Sequence, residues 1–210
     1  AETAGLSFSS GDGSSDASME FTGTLSRINA ALETVTYRGD QDFNGGDTVS
    51  LTIDDEGQHG SGGDLTSTAS FDVTVNAVND APTSAAATVS GTEDTLHTYG
   101  TGDFAFTDVD SGDSITRVQV ATLESAGTLE CNDANGDNDD WQDCALNDWV
   151  AAGTSLRLTP ALNSVASVTF SFKVYDGTAY STNPGVITIA VTAVNDPPVV
   201  SGGNTGTADE

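Results

Sequence analysis

The sequence predicts an all-β fold: antiparallel β-sandwiches in series, the first N-terminally truncated. Three observations carry this. Short runs of alternating apolar and polar residues recur, with turn signals about every ten residues. A phrase that closes one such run, Ala77-Val78-Asn79-Asp80-Ala81-Pro82, returns as Ala193-Val194-Asn195-Asp196-Pro197-Pro198, and the step from Asn79 to Asn195 is 116 residues, a normal length for a sandwich module. No segment sustains the period of an amphipathic helix beyond a short turn.

In chain order, residues 1–20 are rich in Gly, Ser and Asp and carry one strand at Leu6-Ser7-Phe8. Leu25, Ile28 and Leu32 then recur at spacings of three and four, which predicts a helical turn around residues 28–31. Val35-Thr36-Tyr37 reads as a strand and residues 40–46 as a turn. Val49, Leu51 and Ile53 alternate with Ser and Thr in a half-buried strand, and a Gly-rich hairpin loop spans 54–63. Phe71, Val73 and Val75 form the exit strand into the first linker.

The second unit opens at Thr88-Val89-Ser90. Phe104 and Phe106 alternate in a strand that stops at Asp108-Val109-Asp110-Ser111-Gly112-Asp113. Thr116, Val118 and Val120 follow, then Gly127-Thr128-Leu129, Leu156-Arg157-Leu158, and the clearest alternation, Val168, Phe170, Phe172 and Val174. Asp176-Gly177 is a hairpin signal, and Ile187, Ile189 and Val191 run into the second linker. Each linker ends in Pro, which has no N–H to continue a ladder. The expected organisation is a partial sandwich over residues 1–80, a complete one over 81–196, and the start of a further repeat or a free strand over 197–210. By the 116-residue offset, the first unit lacks roughly the first 35 residues of the second.

The chain has 210 residues, 32 acidic against 5 basic, and a net charge of -27. Phosphate contacts need Lys and Arg, so nucleic-acid partners are excluded, and an anionic membrane surface is disfavoured for the same reason. No apolar run is long enough to span a bilayer, and no basic-then-apolar leader is present. Stretches 115–121 and 168–175, which read as strands, contain no Asp or Glu, and the acids gather in loop-like segments: 54–56, 108–113, 133–143 and the linkers. An acidic surface throughout would be one explanation; cation sites explain the clustering better. Two like charges about 5 Å apart repel by roughly 3 kcal/mol at an effective dielectric near 20, and almost no Lys or Arg lies nearby to offset this.

Cys131 and Cys144, 13 residues apart, flank a loop. No further Cys or nearby His completes a zinc site. A local disulfide is the simple reading, and it points to an oxidising, extracellular and secreted setting.

Taken together, Ile28-Asn29-Ala30-Ala31-Leu32, Phe43-Asn44-Gly45, Thr92-Glu93-Asp94-Thr95, Phe106-Thr107-Asp108-Val109-Asp110 and the two Val-Asn-Asp-(Ala/Pro)-Pro linkers resemble bacterial cadherin-like repeats. Such repeats stand in tandem in giant secreted adhesins and other large surface proteins. The resemblance covers nearly the whole chain. It implies Greek-key, cadherin/Ig-like β-sandwiches and a Ca²⁺-dependent, rod-forming role at the cell surface, with neighbouring repeats of the same protein as partners. The chain departs from the pattern in its shortened first unit and in the loop bounded by Cys131 and Cys144.

Strand direction makes its own prediction about ligands. If seven strands alternate, Asn79, Asp80, Asp108, Asp110 and Asp176 meet at the upper end of the second unit, with Asp40 and Asp42 at the facing end of the first. Glu93, Asp94, Asn195, Asp196 and Glu210 meet at the other end by the same logic. These sets offer the six to eight oxygens that Ca²⁺ takes, although Asp in a turn is also simply a good turn former. Between the cysteines, Asp133, Asn135, Asp137 and Asp139 place oxygens at every other position, as in the first half of an EF-hand loop. Position twelve is Cys144 rather than Glu, so a single-loop site stands beside a plainly solvated acidic loop.

Trp141 and Trp149 flank that loop's exit. They could form a sugar-stacking platform, which would make the chain a carbohydrate-binding module for a cell-surface glycan, or they could pack beneath the loop. His59 and His97 are isolated and read as surface residues. No Gly-x-Ser-x-Gly elbow occurs, and the paired carboxylates lie in loops rather than an apolar cleft, so no enzymatic activity is expected. A further alternative makes the chain a fibre subunit, in which tail 199–210 of one copy completes the short first unit of another by strand addition.

Overall fold

The computed structural model describes residues 3–57, 61–132, 134, 140–153 and 155–197. It is mostly β and divides into two compact units at Val78–Asn79.

In the first unit, β1 (Ser7–Ser10) pairs antiparallel with β2 (Glu20–Thr22). Phe8 stands opposite Phe21, their ring centroids 5.4 Å apart. Helix α1 (Leu25–Glu33) forms where the three-and-four spacing places it. It begins with Arg27 and Ile28 N–H donating to the Thr24 carbonyl, and it ends where the Thr34 hydroxyl caps the Ala30 and Ala31 carbonyls. Two ten-residue strands, β3 (Gly45–Asp54) and β4 (Thr66–Val75), pair along their whole length from Gly45↔Val75 to Asp54↔Thr66. The predicted strand at Val35–Tyr37 does not form. Three β-favouring residues need a neighbouring ladder; Tyr37 instead donates its hydroxyl to Asp47 at 2.8 Å.

The second unit begins with β5 (Thr83–Ala85), β6 (Ala87–Thr92), β7 (His97–Tyr99), the 3₁₀ turn η1 (Thr101–Asp103) and β8 (Ala105–Thr107). Then come β9 (Arg117–Thr122), β10 (Thr128–Asn132), β11 (Trp141–Asp143), β12 (Trp149–Ala151), β13 (Leu156–Thr159), β14 (Val168–Tyr175) and β15 (Gly185–Thr192). One sheet has the order β11-β10-β13-β7, a second β12-β9-β14-β15-β6, and β5 pairs with β8. All pairs are antiparallel except β6 with β15. The expectation of a wholly antiparallel unit is corrected here. Seven alternating strands leave the first and last running the same way, so they pair parallel once they lie side by side.

The inward residues of both sheets mix in one core. Val168, Phe170, Phe172, Val174, Ile187 and Ile189 come from the five-stranded sheet, and Leu129, Cys131, Leu156, Leu158 and Tyr99 from the four-stranded one. Tyr99 meets Phe170 edge-on at 5.4 Å and Phe104 meets Phe172 edge-on at 5.0 Å, the arrangement that aromatic quadrupoles favour. Gly185 is required where it stands: a Cβ there would lie 2.5 Å from the Ala85 carbonyl oxygen and against the Phe172 ring.

Cys131 and Cys144 are bonded, with Cα atoms 5.1 Å apart. This is consistent with an extracellular setting. No helix among the described residues is long and apolar enough to cross a membrane.

A candidate cation site at one end of the second unit

Strand pairing explains how distant acids meet. Thr83 pairs with Thr107, so the chain entering β5 lies beside the loop leaving β8. Tyr175 pairs with Arg117, so the turn after β14 lies beside the end of the same loop. Carboxylate oxygens of Asp108, Asp113 and Asp176 consequently fall within 4.8 Å of one another. Gly112, at φ 97°, takes a left-handed conformation that ordinary residues resist, and the chain reverses there just before Asp113.

The three carboxylates are held differently. Asp176 is only 9% exposed. Its Oδ1 accepts the N–H groups of Thr178 and Ala179, and its Oδ2 accepts the Asn79 amide at 3.2 Å. Burial pushes its pKa up, but the Ala179 and Thr178 N–H groups and the Asn79 amide outweigh that and hold it below its ordinary value. Asp108 is half-buried. Its Oδ1 accepts the Asp110 N–H at 3.0 Å, while its Oδ2 is buried with no hydrogen-bond partner among the described residues. Asp113 is exposed, yet its pKa is raised, first by desolvation and then by the charges of Asp108, Asp110 and Asp176. A buried carboxylate oxygen without a donor is costly, and no Lys or Arg forms a salt bridge with any of the three among the described residues.

The Asp-x-Asp pair therefore splits. Asp108 joins the group, whereas Asp110 turns to the linker and accepts the Asp80 N–H at 2.7 Å. The member of this group that residue-by-residue reading passed over is Asp113. It lies in the acid-rich stretch 108–113, but only the turn at Gly112 brings it back. Asn79 and Asp80 are tied to this end of the unit by the two bonds just named. Asp40 and Asp42 are exposed residues of the first unit, in the turn where Phe43 N–H donates to the Asp40 carbonyl.

At the opposite end only part of the predicted set, Glu93, Asp94, Asn195 and Asp196, lies among the described residues. Glu93, 4% exposed, accepts the Val194 N–H at 2.7 Å. Asp94 instead turns to the β13–β14 connection and caps the Asn163 N–H at 3.0 Å. Glu93, Asp94 and Asp196 form no group of mutually close carboxylates among the described residues, and Asn195 and Asp196 are exposed. Glu93 Oε1 thus serves the backbone of the departing chain. Asp133, Asn135, Asp137, Asp139, Glu210 and His59 lie outside the described residues.

Trp141 and Trp149 do not share a platform. They stand on β11 and β12, which belong to different sheets. Arg157 lies over Trp141 at 3.9 Å and Arg117 over Trp149 at 4.0 Å. His97, expected on the surface, is half-buried on β7, and Tyr99 lies 4.8 Å from it.

Residues 2–61 match the family described as GEX2: Protein GAMETE EXPRESSED 2 domain, which covers less than a third of the chain and most of its first unit. No curated protein gives a significant match.

Proposed function

We propose that the chain is a structural segment of a secreted, multi-repeat surface protein, built of cadherin-like Greek-key sandwiches in series and without catalytic activity. Calcium at the Asp108–Asp113–Asp176 group stiffens the entry linker. The observation that carries this reading is the buried, unpartnered Asp108 oxygen among three mutually close carboxylates. The donors are all hard oxygens, and the chemistry fits Ca²⁺ rather than a soft metal. Asp108, Asp113 and Asp176 would hold the ion, with the Asn79 side chain beside them. A divalent charge there offsets the desolvation and, after it, the neighbouring carboxylate charges that raise Asp113, and satisfies the Asp108 oxygen. Because Asn79 and Asp80 are already bonded to Asp176 and Asp110, neutralising this end also fixes the linker backbone to the unit.

The experiment is a calcium titration followed by thermal unfolding and solution scattering, with chelator as the reference. Free Ca²⁺ at a hundred times its Kd would add about 2.7 kcal/mol to stability and narrow the distribution of interdomain distances. Asp108→Asn with Asp113→Asn should abolish both responses. Unchanged melting and scattering in millimolar calcium would rule the reading out.

A fibre assembled by strand complementation is favoured by a different observation. Strands β3 and β4 form a two-stranded sheet with both outer edges unpaired among the described residues, and unpaired edges template further strands. Filaments in electron micrographs, lost when residues 199–210 are deleted, would support it.

A further inference from the structure

The five strands β12, β9, β14, β15 and β6 contain no Asp or Glu in a chain that has 32. The same sheet carries Arg117 and Lys173, two of the three cations in the second unit. Both point outward, because their neighbours Val118, Phe172 and Val174 are buried in the core. Charge is therefore segregated: a molecule of net charge -27 keeps one sheet face that is free of acids and doubly cationic.

Register places the side chains. Trp149, Gln119 and Lys173 form one row across β12, β9 and β14, and Ala151, Arg117 and Tyr175 form the next. Two strand spacings separate Trp149 from Lys173, about 10 Å. The Arg117 guanidinium sits 4.0 Å over the Trp149 ring and 5.3 Å from Tyr175, and Tyr180 packs on Tyr175 at 4.5 Å. Half-buried rings thus lie on adjacent register rows, with the Arg117 cation between Trp149 and Tyr175 and Tyr180 tilted against Tyr175.

The other sheet supplies the contrast that identifies the ligand. Arg157 also lies over a tryptophan, but its guanidinium is neutralised by a two-pronged contact with Glu130, both bonds 2.9 Å. Arg117 has the same stacking and no carboxylate partner among the described residues, and Lys173 likewise makes no ion pair there. An oriented guanidinium left without its carboxylate suits one brought by a ligand, since the planar fork matches carboxylate geometry. The apolar surface of half-buried aromatic rings beside such a cation suits the C–H faces of sugar rings.

We propose that the outward face of the five-stranded sheet binds an acidic polysaccharide, with Arg117 and Lys173 taking uronate carboxylates and Tyr175 and Tyr180 taking the sugar rings. This is independent of the calcium reading, and the test keeps the two apart by working in chelator, where no divalent ion can bridge acid to acid. The whole chain is run in affinity electrophoresis through gels containing polygalacturonate or dextran, in the presence of EDTA. Polygalacturonate should retard the protein and dextran should not. Lys173→Gln should weaken retardation roughly two- to five-fold, the range for one exposed ion pair. Arg117→Gln with Lys173→Gln should abolish it at an unchanged melting temperature, and Trp141→Ala on the opposite sheet should leave it intact. The proposal is overturned by no retardation, by equal retardation in dextran, or by indifference to Lys173→Gln. It is equally overturned if the face proves to mediate only concentration-dependent self-association.

Discussion

Hairpins β3–β4 and β14–β15 carry the same kind of sequence and meet opposite fates. In both, apolar and polar residues alternate and the apolar set falls on one face. Val49, Leu51, Ile53, Phe71, Val73 and Val75 share a face of the first, while Ser50, Thr52, Thr68 and Ser70 share the other. On β14 and β15, Val168, Phe170, Phe172, Val174, Ile187 and Ile189 are at most 1% exposed. On β3 and β4, Ile53 is 47% and Phe71 57% exposed. The second hairpin has β9 and β6 at its edges and a whole sheet over its inner face. Among the described residues the first has neither, and Ala31 is the only apolar residue buried in its unit. Alternation says which side of a ribbon is apolar; a second layer decides whether that side leaves water.

The largest test of this contrast pairs two phenylalanines. Phe172→Ala, at a fully buried position, should cost the second unit about 3–5 kcal/mol, whereas Phe71→Ala should change stability by about 0.5 kcal/mol or less. Both tryptophans lie in the second unit, so urea unfolding followed by tryptophan fluorescence reports that unit, and far-UV circular dichroism of the same samples follows the whole chain for Phe71→Ala. Equal shifts from the two variants would break the comparison.

Next in size is the disulfide. Replacing Cys131 and Cys144 together by Ala should lower the midpoint of the same transition by the equivalent of about 3 kcal/mol, with the first unit's circular dichroism unaffected. A protein indifferent to reduction would mean that the core of two sheets suffices without the staple.

A smaller effect sharpens the account of the acidic end. Asp113 has a raised pKa, so its ionisation opposes folding. The penalty is absent below its ordinary value of 3.8 and grows as pH rises through the raised value. In chelator at neutral pH, Asp113→Asn should therefore raise the melting temperature, and the gain should vanish as the solution is acidified below that range. In calcium the same substitution should instead lower it. Melting temperatures that do not cross over between the two buffers would break the link between repulsion and cation.

The smallest concerns Arg157 and Glu130, both about a quarter exposed. Arg157 holds the Glu130 pKa below its ordinary 4.5. The pair's contribution is present above 4.5 and is lost as pH falls through the lowered value. Arg157→Gln should cost no more than about 1 kcal/mol at pH 7, measured by urea unfolding, and nothing in strong acid.

Much of the fold was legible because strand faces follow a period of two. The runs at Val49–Ile53, Phe71–Val75, Val168–Val174 and Ile187–Val191 all lie in strands. Helix α1 followed from three residues at helical spacing. The short strands β7, β11 and β12 were not legible: three residues carry too little alternation, and their neighbours in the sheet give them order. For the candidate site, the turn preferences of Asp marked the stretch 108–113 and Asp176 but could not rank their members. Asp110 and Asp113 exchanged roles because one faces a backbone N–H and the other follows a left-handed glycine.

By itself, then, the sequence determined an all-β chain, the inward face of its long strands, the bond between its two cysteines and the acid-rich stretch 108–113. All of these depend on local periodicity, on spacing or on the chemistry of single residues. Tertiary structure alone decided which carboxylates share space and which cations stay unpaired. Both depend on which strands lie side by side, β5 against β8 and β9 against β14, and such long-range pairings are set by packing over the whole core rather than by any short stretch of chain.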